Sequence, residues 1–203
     1  MMNLMVNIQC THPDPRISAM DMDDKRVSKM VLESAQMICT IRGDTCYRPV
    51  HQNNPTTHWG RDNFGWLVAW HHALAAEHYF RMGNIHKSFI SVGQRYIVKS
   101  YKHPRYFRNG ARSSRLFPDG REIDFTDISD AHLAYRYYLR SRMMFDKLQP
   151  KWTRRAPPWW LDELNTTDRP MIHSWDVWPR STRPTTWRVD VNDKTREKYG
   201  LLL

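Results

Sequence analysis

Between residues 25 and 41 the apolar positions recur at helical spacing. Val27, Met30, Val31, Met37 and Ile38 fall on one side, and Lys25, Lys29, Glu33 and Gln36 on the other. This predicts a helix over 25–41. Asp21, Asp23 and Asp24 precede it, where negative charge opposes the positive dipole end, and Gly43 closes it. A second helix is predicted over 63–82, opened by Asp62 or Asn63 and closed by Gly83. Its stripes Phe64-Leu67-His71-Leu74-His78 and Trp66-Trp70-Ala73-Glu77-Phe80 make two of its sides apolar, so it should lie centrally. A third is predicted over 128–148, capped by Thr126 or Asp127, with Ala131, Tyr135, Tyr138 and Leu139 inward, and stopped by Pro150, Pro157 and Pro158.

Elsewhere the periodicity is weak. Residues 4–10 alternate enough for one short strand at most, ended by His12-Pro13-Asp14-Pro15. Residues 44–60 read as a loop. The expected fold is mainly α: a single compact helical domain over 1–165 with a long basic, aromatic loop region, then a Trp- and Pro-rich irregular tail over 166–203 packed on the body.

Charge narrows the partner. The 203 residues carry a formal +10 with a pI near 9.7, which favours an anionic partner, nucleic acid before a membrane surface. Residues 95–121 concentrate it: eight Lys and Arg, among them Arg105, Arg108, Arg112 and Arg115, against the single acid Asp119. Tyr96, Tyr101, Tyr106, Phe107 and Phe117 are interleaved. Cations neutralise phosphates while aromatics stack on unpaired or extruded bases. No apolar run reaches the ~20 residues of a membrane span, and the N-terminus lacks the pattern of a signal peptide. Three cysteines, Cys10, Cys39 and Cys46, without C-x-x-C, argue against a disulfide framework and against a cysteine zinc site.

Several clusters carry candidate chemistry beside plainer readings. The Lys25, Lys29, Glu33 and Gln36 stripe suits a polar or phosphate-bearing substrate, or is a solvated ion-paired face. The segment from His51 to Trp59 is dense in donors and acceptors, or is a turn built on Asn54-Pro55. Arg81, His86 and Lys87 flank the Gly83 turn and suit a phosphate. Asp21, Asp23 and Asp24 suit Mg²⁺ bridging a pyrophosphate, or simply helix capping. No cofactor is otherwise indicated. His71, His72 and His78 fit core or surface histidines better than a zinc site, since H-E-x-x-H is absent.

Five ordered motifs, Asp24 to Gln36, Tyr47 to Trp59, Asn63 to Leu67, Glu77 to Lys87 and Trp152 to Trp159, resemble a family of small phage-encoded proteins over about residues 14–160. Asn54, Phe64, His78 and Asn84 depart from the family pattern, Asn54 standing where the family has His. Members carry two labels, pyrimidine dimer DNA glycosylase and amino acid:DNA transferase (α-glutamyl/putrescinyl-thymine pyrophosphorylase). Both imply duplex DNA bearing an altered pyrimidine; the lack of a long apolar run and the cysteine usage point to no membrane partner and to the host cytoplasm. The second implies displacement of pyrophosphate from 5-(pyrophosphoryloxymethyl)deoxyuridine by a small amine or amino acid.

The residues favour the second label. Small phage glycosylases of the endonuclease V type attack with an exposed N-terminal amine, whereas residue 2 here is Met. The transferase reading assigns Lys25, Lys29, Arg81 and Lys87 to pyrophosphate, Glu33 or His51 to the base, and Gln36 and Asn53 to the pyrimidine edge. Asn54, Trp59 and Asn63 join the base-binding set. Arg26, His86, Arg105, Arg108, Arg112, Arg115 and Trp152 join the phosphate and DNA set. The alternatives are a glycosylase–lyase using Lys25 or Lys29 as imine former, and a DNA-binding protein without catalysis.

Overall fold

In the computed structural model the described residues are 8–116, 120, 122–144 and 146–161, without the side chains of Ser114, Arg115 and Met144. The chain divides into two compact units, Met1–Pro158 and Trp159–Leu203. The expected tail over 166–203 therefore lies outside the described residues, as does most of the short strand over 4–10; residues 8–10 are not strand.

The first unit is mainly helical: α1 (Pro15–Met20), α2 (Asp24–Arg42), α3 (Pro55–Asp62), α4 (Phe64–Met82), α5 (Lys87–Val92) and α6 (Ala131–Met144), with a 3-10 turn at Gly93–Arg95 and a hairpin of β1 (Arg112–Leu116) and β2 (Glu122–Asp124). No helix among the described residues is long and apolar enough to cross a membrane.

Helix α2 begins where the Asp23 carboxylate accepts from the Arg26 amide, and ends at Gly43 with φ 73°. It buries Val27, Met30, Val31, Met37 and Ile38, the apolar side read from sequence. Helix α4 lies against α2 and α1 and buries Trp66, Leu67, Val68, Trp70 and Leu74. Gly60 of α3 faces Leu67, Ile41 and Met37, and a Cβ there would stand 3.1 Å from Leu67. This close approach seats α3 against both α4 and α2.

Several expectations are corrected. The stretch 44–60 is not all loop: Asn54 accepts from the Thr56 amide at 2.8 Å, Pro55 takes the first helical position, and α3 follows. Helices α1 and α5 were not anticipated. The loop region over 95–121 ends in a hairpin, paired Arg112↔Asp124 and Ser113↔Ile123, with a bulge before Leu116↔Glu122. The third helix starts at Ala131, with Asp130 capping it through the His132 and Leu133 amides; Thr126 donates instead to Asp124.

Burial gives the fold a pH signature. It lowers His71 to about 3 and is the main cause lowering His12 to about 4. Both are neutral when folded, while the unfolded chain takes up their protons near pH 6.5. Stability is therefore full above that value and falls as pH drops toward the folded values. The urea midpoint should fall between about pH 7 and about pH 4.5; an unchanged midpoint would mean that the folded protein also protonates these rings.

Candidate functional site

On the outward stripe of α2, Lys29 Nζ stands 3.0 Å from Glu33 Oε1, with side-chain exposures of 56% and 18%. The cation is presented and the carboxylate largely covered. One turn earlier, Lys25 pairs with Asp146 at 3.0 Å. Burial pushes the Asp146 carboxyl up, but the bond from Lys25 and the Arg26 charge outweigh this and hold it below the ordinary value. Gln36 continues the stripe, half-buried.

The turn before α3 supplies the next groups. His51 has φ 55°, a left-handed conformation that costs a non-glycine residue of order 1 kcal/mol. The Asn54 amide donates to its carbonyl at 2.9 Å, and Asn53 is exposed at the tip. Asn54 caps α3.

Trp59 connects α3 to the basic region. It is buried, donates from Nε1 to the Tyr106 carbonyl at 2.9 Å, and packs on Trp66 and Phe107. Asn109 donates to the Phe125 and Ile128 carbonyls, and the Gly110 amide to the Tyr135 hydroxyl, fixing the segment that follows. The backbone is thereby pinned while Arg105, Tyr106 and Arg108 are exposed, as are Lys87 and Arg112. The Arg115 side chain is outside the described residues.

Other predicted site residues do different work. Arg81 is fully buried. It donates to Glu77 at 2.7 Å, to the Met22 and Met20 carbonyls at 2.7 and 2.9 Å, and to Asp24 at 3.2 Å. Arg155 Nη2 reaches the other Glu77 oxygen at 2.8 Å. Asp24 also accepts from the Thr153 amide and hydroxyl; burial raises its carboxyl, but these bonds and Arg81 together hold it low. Trp152 Nε1 donates to the Asp21 carbonyl, and the Asp24 amide to Lys151. Three separated motifs, Asp24, Glu77-to-Arg81 and Trp152-to-Arg155, thus meet in one buried charged knot at the start of α2.

Arg81 and the Trp152 indole nitrogen are therefore engaged by protein partners. Arg26 is likewise buried, between Asp23 and Asp146. Asp21 accepts from Thr11 at 2.6 Å, so the three aspartates face separate protein partners rather than one cation. His86 caps α5 through the Ser88 amide. Trp59 is core, and Asn63 donates to the Trp59 carbonyl at 2.9 Å. A sequence signal for the knot existed: Glu77 and Arg81 are four apart on the helix expected to be central, a spacing that forms an ion pair.

Residues 5–91 match the family model for pyrimidine dimer DNA glycosylase. The match spans α1 to α4 and nearly all of α5, so it includes the Lys29–Glu33 stripe, the His51 turn and the Glu77–Arg81 half of the knot. It agrees with the resemblance carried by the motifs and supports a DNA-acting enzyme. No curated protein and no solved structure matches the chain.

Proposed function

We propose that the protein acts on an extruded pyrimidine in duplex DNA, replacing pyrophosphate on 5-(pyrophosphoryloxymethyl)deoxyuridine with the amine of an amino acid or polyamine. The observation that carries this reading is the Lys29–Glu33 pair: an exposed cation for the leaving anion beside a sheltered carboxylate for the incoming ammonium. An exposed helical pair contributes only about 0.3–0.5 kcal/mol, so Lys29 can exchange Glu33 for a phosphate at little cost. Glu33 then faces the amine, takes its proton, and the nitrogen attacks the exocyclic methylene. The C–N bond forms as the C–O bond breaks, and the electron pair leaves on pyrophosphate, where Lys29 and Lys25 offset the growing charge. His51 is the alternate base. Gln36 and Asn53 supply amides for the pyrimidine edge.

Lys87, Arg105, Arg108 and Arg112 are exposed, which suits contact with the DNA backbone. Replacing Arg105 and Arg108 by Gln should weaken DNA binding and flatten the dependence of log K on log salt by about 0.9 per arginine. An unchanged slope would remove both from the interface.

The family label favours a second reading, glycosylase–lyase chemistry. An imine-forming lysine needs desolvation or a cationic neighbour. Lys25 and Lys29 are exposed and face carboxylates, which supports transfer instead. The two separate on one comparison. Amine-dependent pyrophosphate release from pyrophosphorylated duplex supports the transferase. A borohydride-trapped protein–DNA adduct on dimer-containing duplex, without such release, supports the lyase.

A further inference from the structure

The end of α2 and the turn after it bring together three ligand-type side chains, Cys39, Asp44 and Cys46. The left-handed turn at Gly43 reverses the chain, and the Asp44 amide donates to the Cys39 carbonyl at 3.0 Å. Cys39 Sγ, an Asp44 carboxylate oxygen and Cys46 Sγ all lie within 4.8 Å of one another. Cys39 is buried, while Asp44 and Cys46 are half-buried.

The surroundings are those of a cation site. The Tyr96 hydroxyl donates to Asp44 Oδ2, orienting the carboxylate and leaving Oδ1 for a ligand role. The last carbonyls of a helix carry partial negative charge, which favours a cation there. Two thiolates and a carboxylate with a divalent ion leave one net negative charge, and the Arg42 guanidinium lies 5.9 Å from the Tyr96 ring centroid to offset it.

We infer that Cys39, Asp44 and Cys46 form a site for a thiophilic divalent cation, with zinc the ion that best fits this donor set. Tetrahedral zinc, with bonds of about 2.3 Å to sulfur, needs its ligands about 3.7 Å apart. Rotation of the half-buried Cys46 side chain would supply the remaining approach. Solvent takes the fourth position. The ion would pin the segment leading from α2 to the His51 turn, and the inference stands independently of the transferase reading.

The test is cobalt(II) titration of the full-length, phosphine-reduced protein. A thiolate-to-cobalt charge-transfer band saturating at one equivalent is expected, reversed by zinc. Cys46→Ser should abolish it, and Asp44→Asn should weaken binding at least tenfold, with circular dichroism confirming that both variants keep their helices. Absence of the band in the reduced wild-type protein, or its persistence in Cys46→Ser, would overturn the site.

Discussion

Replacing Glu77 by Gln is expected to lower the unfolding free energy by about 3–5 kcal/mol, the cost of leaving buried charge without its partner. Glu77 is 1% exposed and accepts from both Arg81 and Arg155. Glutamine keeps the shape but removes the charge. Two guanidiniums then remain, one fully buried. At about 2–4 °C per kcal/mol for a chain of this size, the melting temperature should fall by roughly 6–20 °C. Thermal and urea unfolding check this directly. A loss under about 1 kcal/mol would show that water reaches the knot and that Arg81 is not committed to it.

Glu33→Gln is expected to do the reverse, leaving stability nearly intact while slowing amine transfer by about 10²–10⁴-fold, the usual worth of a positioned base. The structural loss is one exposed pair, about 0.3–0.5 kcal/mol. Steady-state transfer beside a melting curve separates the two effects. Full activity in Glu33→Gln would remove Glu33 from the chemistry and leave His51 as the base.

What could be read in the sequence follows from what each residue is used for. Helices α2 and α4 were legible because their apolar stripes run for several turns and end at glycines that take positive φ. Helix α3 was hidden because Asn54-Pro55 has two meanings: a turn, or a cap followed by the proline of a first helical turn. The packing of Gly60 on α4 and α2 decides between them. Helix α5 is short and is capped by a histidine, a residue outside the preferred caps. The bulged hairpin lacks the long alternation that marks a strand.

The site divides along the same line. The outward stripe of α2 was readable from spacing. Which cations stay outside was not, because Arg26 and Arg81 look like Arg105 and Arg108 until burial is known. Trp59 and Trp152 similarly read as base or DNA contacts, but their indole nitrogens bond backbone carbonyls. The pairing of Cys39 with Cys46 depended on the reversal at Gly43, which residue counting does not show.

The most direct test of the central claim is chemical. Duplex DNA carrying 5-(pyrophosphoryloxymethyl)deoxyuridine is incubated with the protein and a mixture of amino acids and polyamines, then digested to nucleosides and weighed by mass spectrometry. The account predicts a new thymidine derivative whose mass equals one amine adduct, absent without protein and sharply reduced with Glu33→Gln. Intact pyrophosphorylated nucleoside with no adduct, from protein that binds the duplex, would contradict it.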